Sequence, residues 1–166
     1  MVGYRLVRRA RAGTAFTGEG ARRFGGRWNP KNTPAVYGSE HLSLAVLEFR
    51  VNQGGYDPED QYVYFRFEFV DSLMESIADP PVGWLTRFKE DDSITAAQAF
   101  GKEWLLQKRS AVLAVPSVVI RIERNFVLNP KHADFPKIRV DSPVRLELDA
   151  RLWNTASPAS LIRRGG

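Results

Sequence analysis

Residues 25–51 read GGRWNPKNTPAVYGSEHLSLAVLEFRV, and three local rules partition them. Gly25, Gly26, Pro30 and Pro34 mark the first ten positions as a loop. Ala35–Tyr37 is short, apolar and β-prone, and reads as a strand. Ser39 is a good N-cap, so a helix is predicted from about Glu40 to Val51, ending before Gly54-Gly55. On a wheel of about 100° per residue, Leu44, Ala45, Leu47, Phe49 and Val51 spread over a wide apolar arc with Ser43 and Arg50 opposite. His41, Glu48 and Asn52 cut a narrow polar stripe into that arc, with Glu48 between Leu44 and Ala45. Burying a bare carboxylate there would exceed a fold's stability margin. Glu48 therefore either pairs with an arginine of the N-terminal segment or lies on the floor of a lined cleft.

Upstream, Tyr4–Val7 reads as an opening strand, and Gly13, Gly18, Gly20, Gly25 and Gly26 punctuate a loop free to wrap a ligand closely. Downstream, Val63, Phe65, Phe67 and Phe69 alternate with Tyr62, Tyr64, Arg66 and Glu68, which predicts a strand over Tyr62–Val70 with one aromatic core face. A second helix is predicted over Ser93–Leu106, with Trp104 and Leu105 packing near its end. Ala111–Val115, Val118–Glu123, Phe126–Leu128, Lys137–Val140 and Val144–Leu148 read as further strands, broken by Pro116, Asn125, Pro130 and Pro143. No repeat, low-complexity tract or linker divides the 166 residues. The expectation is one α+β domain, residues 1–166, built on curved antiparallel sheets with a few helices.

Charge is unevenly distributed. Residues 1–31 hold Arg5, Arg8, Arg9, Arg11, Arg22, Arg23, Arg27 and Lys31 against Glu19 alone, a net +7, whereas the other 135 residues carry a net −2. Such a cationic end suits phosphates, either of a nucleic acid or of a smaller ligand. The basic residues are not interleaved with aromatics, and no helix-turn-helix or zinc-finger pattern accompanies them, which argues against a nucleic-acid module. The absence of Cys excludes thiol catalysis and thiolate metal sites, and with His41 and His132 as the two imidazoles no metal site is expected. Ala111–Ile120 is too short to span a bilayer and is interrupted by Pro116 and Ser117, so the reading is a cytoplasmic protein without membrane contact. A Ser–His–Asp hydrolase assembled from Ser117, His132 and Asp134 lacks the G-x-S-x-G elbow.

Read together, GARRFGGRWNPKNTPAVYGSEHLSLAVLEF (20–49), AVLAVPSVVI (111–120) and NFVLNPKHADF (125–135) closely resemble the RES-domain family, toxins of bacterial toxin–antitoxin pairs named for an Arg, a Glu and a Ser. The resemblance runs from about Tyr4 to Leu152. It implies a fold similar to that of ADP-ribosyltransferase toxins and an activity that consumes NAD as substrate, with no bound cofactor, by cleaving the nicotinamide–ribose bond through hydrolysis or phosphorolysis. The family's arginine matches Arg27, its tyrosine Tyr37, its glutamate Glu48 and its serine Ser117, while Asn129 and His132 match an Asn-Pro-x-His element. Asn32 departs from the family by standing where glycine is common, and Gly38 by standing where a larger polar residue is usual. The implied partner is a helix-turn-helix antitoxin that covers the active site and carries any contact with DNA; a homodimer is also compatible. Alternatives are an ADP-ribosyltransferase that modifies a protein, or a non-catalytic binding domain for nucleic acid or protein.

The chemistry of those residue types agrees. Nicotinamide leaves as a neutral base, so no general acid is needed. Positive charge develops on the ribose, and a carboxylate such as Glu48 holding its hydroxyls stabilises that charge more in the transition state than in the ground state. A guanidinium such as Arg27, with Arg5 or Arg9 as helpers, suits the pyrophosphate. An aromatic face at Tyr37 suits the nicotinamide ring. Ser117 would bond the substrate or orient Glu48, and Trp28 and Asn129 complete the expected NAD-binding set.

Overall fold

The computed structural model describes residues 1–53, 61–77, 79–86, 93–149 and 152. In chain order the elements are strand β1 (Val2–Arg8), helix α1 (Glu19–Phe24), β2 (Val36–Ser39), α2 (Leu42–Gln53), β3 (Tyr62–Glu68), β4 (Met74–Ser76), α3 (Ala96–Gln107), β5 (Val112–Pro116), β6 (Arg124–Leu128), β7 (Arg139–Val140) and β8 (Val144–Leu146). The strands form one sheet in the order β4-β5-β6-β2-β1-β3-β7, with β8 also paired to β3. β2, the short strand predicted between loop and helix, is thus central in the sheet.

The α+β class is as the sequence predicts, but the sheet is mixed. β4 and β5 run parallel because the chain between them carries α3, and a crossover through a helix returns a strand in its original direction. The hydrophobic run Val118–Glu123 is not a strand. β5 and β6 pair antiparallel from Pro116↔Arg124 onward, so residues 117–123 form the hairpin loop that joins them. Gly54 and Gly55, expected to end α2, lie outside the described residues.

Residue parity separates the two sheet faces. Val36, Phe67, Phe126, Val112, Ala114 and Leu128 meet on one face with Phe69, Leu73 and Ile138. The alternation read in β3 is realised there: Phe67, Phe69 and Phe126 touch pairwise, with centroids 5.3–6.2 Å apart, and each such burial stabilises by about 2–3 kcal/mol. The other face bears both long helices. α2 sets Ala45, Val46 and Phe49 on Tyr4, Leu6, Tyr62 and Tyr64, so the side of β3 that carries the tyrosines is covered as well. α3 sets Ala97, Trp104 and Leu105 on Leu113, Val115, Val127 and Trp28. Leu47 and Val51, read as part of the apolar arc, are exposed.

α3 is cut sharply at its start. Thr95 Oγ1 accepts from Gln98 N while Gln98 Oε1 accepts from Thr95 N, a reciprocal cap. Its packing against the 26–29 loop requires Gly101, where an added Cβ would lie 1.9 Å from the Trp28 carbonyl oxygen.

Candidate active site

On the helix-bearing face, successive outward residues of β2 are Tyr37 and Ser39, about 7 Å apart along the strand. Each anchors one cluster of polar side chains.

Around Ser39 the cluster is built on Glu48, on the inner side of α2. Ser117 Oγ donates to Glu48 Oε1 at 2.8 Å and Asn125 Nδ2 donates to the same oxygen at 2.5 Å. Asn52, one turn on along α2, donates to the Glu48 carbonyl at 2.7 Å and approaches Oε2 at 3.5 Å. Among the described residues no arginine or lysine pairs with Glu48; its side-chain partners are neutral. Of the two sequence readings, the ion pair is not formed among the described residues; Glu48 is half-buried and held by neutral hydrogen-bond donors instead. Ser117 follows the last residue of β5 and is fully buried. Its hydroxyl accepts from the backbone N–H groups of Val119 and Ile120, both at 3.0 Å, which caps the loop. His41, grouped with Glu48 on the wheel, precedes α2 and instead meets Glu123 at 3.2 Å. Beside it Glu40 and Arg124 form a two-pronged ion pair, which holds the Glu40 carboxyl below the usual glutamate range.

Around Tyr37 the partners are mostly backbone. Tyr37 OH donates to Asn29 Oδ1 at 2.7 Å and accepts from Trp28 N at 3.0 Å. Burial pushes its phenol well up, so it stays neutral. Gly26 makes this closeness possible, since a Cβ there would lie 2.6 Å from the Tyr37 hydroxyl. Asn29, fully buried, donates to the carbonyls of Ala21 and Thr33, and Gln98 Nε2 donates to that of Gly26 at 3.0 Å. Arg27 Nη1 donates to the carbonyls of Trp84 and Leu85 at 3.0 and 2.9 Å, and its charge acts on Tyr37. Trp28 is buried at 2% exposure and stacks on Trp84 with centroids 6.1 Å apart. Asn32, standing where glycine is common, has φ +69°, a left-handed conformation that asparagine tolerates better than most residues.

The remaining sequence candidates lie elsewhere. Asn129 is buried and donates to the Leu105 carbonyl while accepting from Lys131 N, so it fastens α3 to the end of β6. Arg5 lies on the opposite sheet face from Tyr4, where it donates to the Tyr37 carbonyl at 2.5 Å, and burial pushes it down to about 10. Arg9 bonds Gln61 and Arg22 pairs with Glu19. The net +7 of the first 31 residues is thus dispersed around the sheet rather than gathered in one wall. A cavity of about 260 Å³ lies between Trp84 and Pro116, with Arg121, Ile122 and Arg124 on its wall; Glu48 does not line it.

A model of the RES domain family matches residues 3–149. The chain belongs to the RES domain family. Within it, the chain is similar to "Toxin Res" of Yersinia enterocolitica, 33% identical over 153 residues covering 92% of this chain and 99% of that protein. It is also similar to "Prs ADP-ribosylating toxin" of Sphingobium sp., 32% identical over 148 residues covering 85% and 88% of the two. Among solved structures, a chain of the M. tuberculosis MbcT–MbcA toxin–antitoxin complex shares the fold, with TM-score 0.67 and 22% identity over 87% of this chain and 83% of that one. In this RES domain Glu48 and Ser117, which the resemblance aligns with the family's glutamate and serine, share a hydrogen bond. Arg27 and Tyr37, which it aligns with the arginine and tyrosine, lie in the second cluster, and Tyr37 and Ser39 of β2 belong one to each.

Proposed function

We propose that this RES domain is the toxin of a bacterial toxin–antitoxin pair and depletes NAD by cleaving the nicotinamide–ribose bond. The observation that carries the reading is Glu48: one carboxylate oxygen is held by Ser117 and Asn125, and no described cation neutralises it. Such a carboxylate, with Oε2 turned to the ribose hydroxyls, opposes the positive charge that develops at C1′. The C1′–N bond breaks with its electron pair leaving on the neutral nicotinamide. Water or inorganic phosphate then forms the new C1′–O bond and gives up a proton to solvent. Tyr37 and Arg27, one strand step away, are assigned to the ring and to the pyrophosphate. Trp28 and Asn129 act in this reading by shaping the loop and the end of β6 rather than by touching NAD. The relatives named as toxins support the biological role, and the toxin–antitoxin complex that shares the fold supports an antitoxin partner, which we take to be a helix-turn-helix protein covering the cleft.

The name of the Sphingobium relative favours a second reading, in which a protein side chain accepts the ADP-ribose. One experiment separates the outcomes: incubation with NAD in phosphate and phosphate-free buffers, with and without bacterial lysate, and products identified by mass spectrometry. Free ADP-ribose, its phosphorylated counterpart or a mass shift on a protein each names a different nucleophile. Glu48→Gln is expected to lower the rate by at least about 100-fold with the thermal unfolding midpoint unchanged. Folded parent protein that leaves NAD intact under every condition overturns the proposal.

A further inference from the structure

The hydrogen-bond clamp on Glu48 has a second layer. Asn125 reaches the carboxylate with its Nδ2 while its Oδ1 accepts from Ser39 Oγ at 2.7 Å. Ser39 is buried at 3% exposure, and its donated proton fixes which end of the amide faces Glu48. Turned over, the amide would set one oxygen against another. The three residues come from three elements: Ser39 ends β2, Asn125 lies opposite it on β6, and Glu48 projects from α2. The family resemblance gives Asn125 no role.

We propose that Asn125, oriented by Ser39, is the positioning residue of this site: it pins Glu48 Oε1 so that Oε2 faces the ligand, and it does so without charge. The neutrality matters. A lysine or arginine in the same place would hold the carboxylate as firmly but cancel its field where positive charge develops. An amide supplies the hydrogen bond and leaves the field intact. Of the ionisable groups on the adjoining elements, Glu40 and His41 before α2 pair with Arg124, which opens β6, and Glu123, which ends the 117–123 loop, rather than with Glu48; Tyr4, Tyr62 and Tyr64 meet α2 from β1 and β3.

Asn125→Asp keeps the shape and tests the charge. The kinetic arm rests on the NAD reading above; a second arm, the carboxyl ¹³C signal of Glu48 followed by NMR against pH, does not. With two carboxyls sharing one hydrogen-bond position, the Glu48 signal in Asn125→Asp is expected to follow two steps more than about one pH unit apart, read against the parent's curve measured alongside. NAD cleavage is expected to fall about 100-fold near neutral pH with KM changed less than kcat. It should recover as pH is lowered and one shared proton restores a donor toward Glu48. Ser39→Ala, which frees the amide to turn, is expected to lower kcat less than Asn125→Asp and to leave the pH profile in its parental shape. An unchanged Glu48 titration in folded Asn125→Asp overturns the inference whatever the parent does to NAD. A two-step titration alongside a parent inert to NAD upholds the positioning contact and removes the NAD reading instead. Parental pH dependence of cleavage in Asn125→Asp, despite a two-step titration, also overturns the inference.

Discussion

The two clusters on β2 are each hydrogen-bonded throughout, yet they are built differently. Around Glu48, side chains hold side chains: Ser117 and Asn125 converge on one oxygen, and Ser39 holds Asn125. Around Tyr37, side chains hold the main chain. Asn29 takes the carbonyls of Ala21 and Thr33, Gln98 that of Gly26, Arg27 those of Trp84 and Leu85, and Tyr37 the amide of Trp28. Changing a member of the first cluster alters the field at one atom. Changing a member of the second moves a loop. Residues that the family resemblance gathers into one set thus differ in what they hold, and the run from Gly25 to Pro30 lies mostly in the cluster that holds main chain.

That division can be broken at its extremes. Gly101→Ala pushes a methyl into the Trp28 carbonyl and is expected to destabilise by about 3 kcal/mol, read as a lowered denaturation midpoint; a midpoint equal to the parent's would mean that the loop does not depend on α3. Tyr37→Phe leaves the Trp28 amide and the Asn29 side-chain Oδ1 without a partner, and about 2 kcal/mol should be lost. Glu48→Gln, in the other cluster, should lose activity while keeping that stability, and a reversed ranking in urea titrations would erase the distinction. The smallest effect is expected from Arg124→Ala. Arg124 holds the Glu40 carboxyl below its ordinary range, so the pair's contribution is present above the unfolded glutamate value and lost as pH falls through the folded one. Being partly exposed to solvent, it is worth less than about 1 kcal/mol, visible as parent and variant midpoints that differ at pH 7 and converge at low pH.

Glu48 was legible in the sequence because a wheel exposes a polar residue among apolar neighbours, and so was β3, whose phenylalanines alternate without interruption. Of what holds Glu48, Ser117 was read as orienting it or bonding the substrate, whereas Asn125 was given no such role. Asn125 and Ser117 lie 77 and 69 residues away, and only strand pairing brings them to α2. Asn125 even read as a strand breaker, whereas β6 runs through it from Arg124. Val118–Ile120 has strand composition, but the Ser117 hydroxyl satisfies two of its amides and turns the chain back. The three-residue β4 carries too little pattern to register, and with it went the parallel pair. Burial of Trp28 follows from a contact with α3 some 70 residues on, which the loop's own composition does not announce.

β2 is only four residues long, and its alternation has a consequence for assembly. Val36 and Gly38 face the phenylalanine layer while Tyr37 and Ser39 face the helices. A slip of one residue in its pairing with β1 or β6 would exchange the two sets, driving a phenol and a hydroxyl among Phe67 and Phe126 and turning valine and glycine toward the helices. Both clusters are therefore committed by one register, and neither has a half-built form. Because that register needs β6, a nascent chain that has not yet delivered residues 124–128 carries Glu48 on α2 without Asn125 or the strand that seats Ser39: the carboxylate is made long before the side chains that hold it.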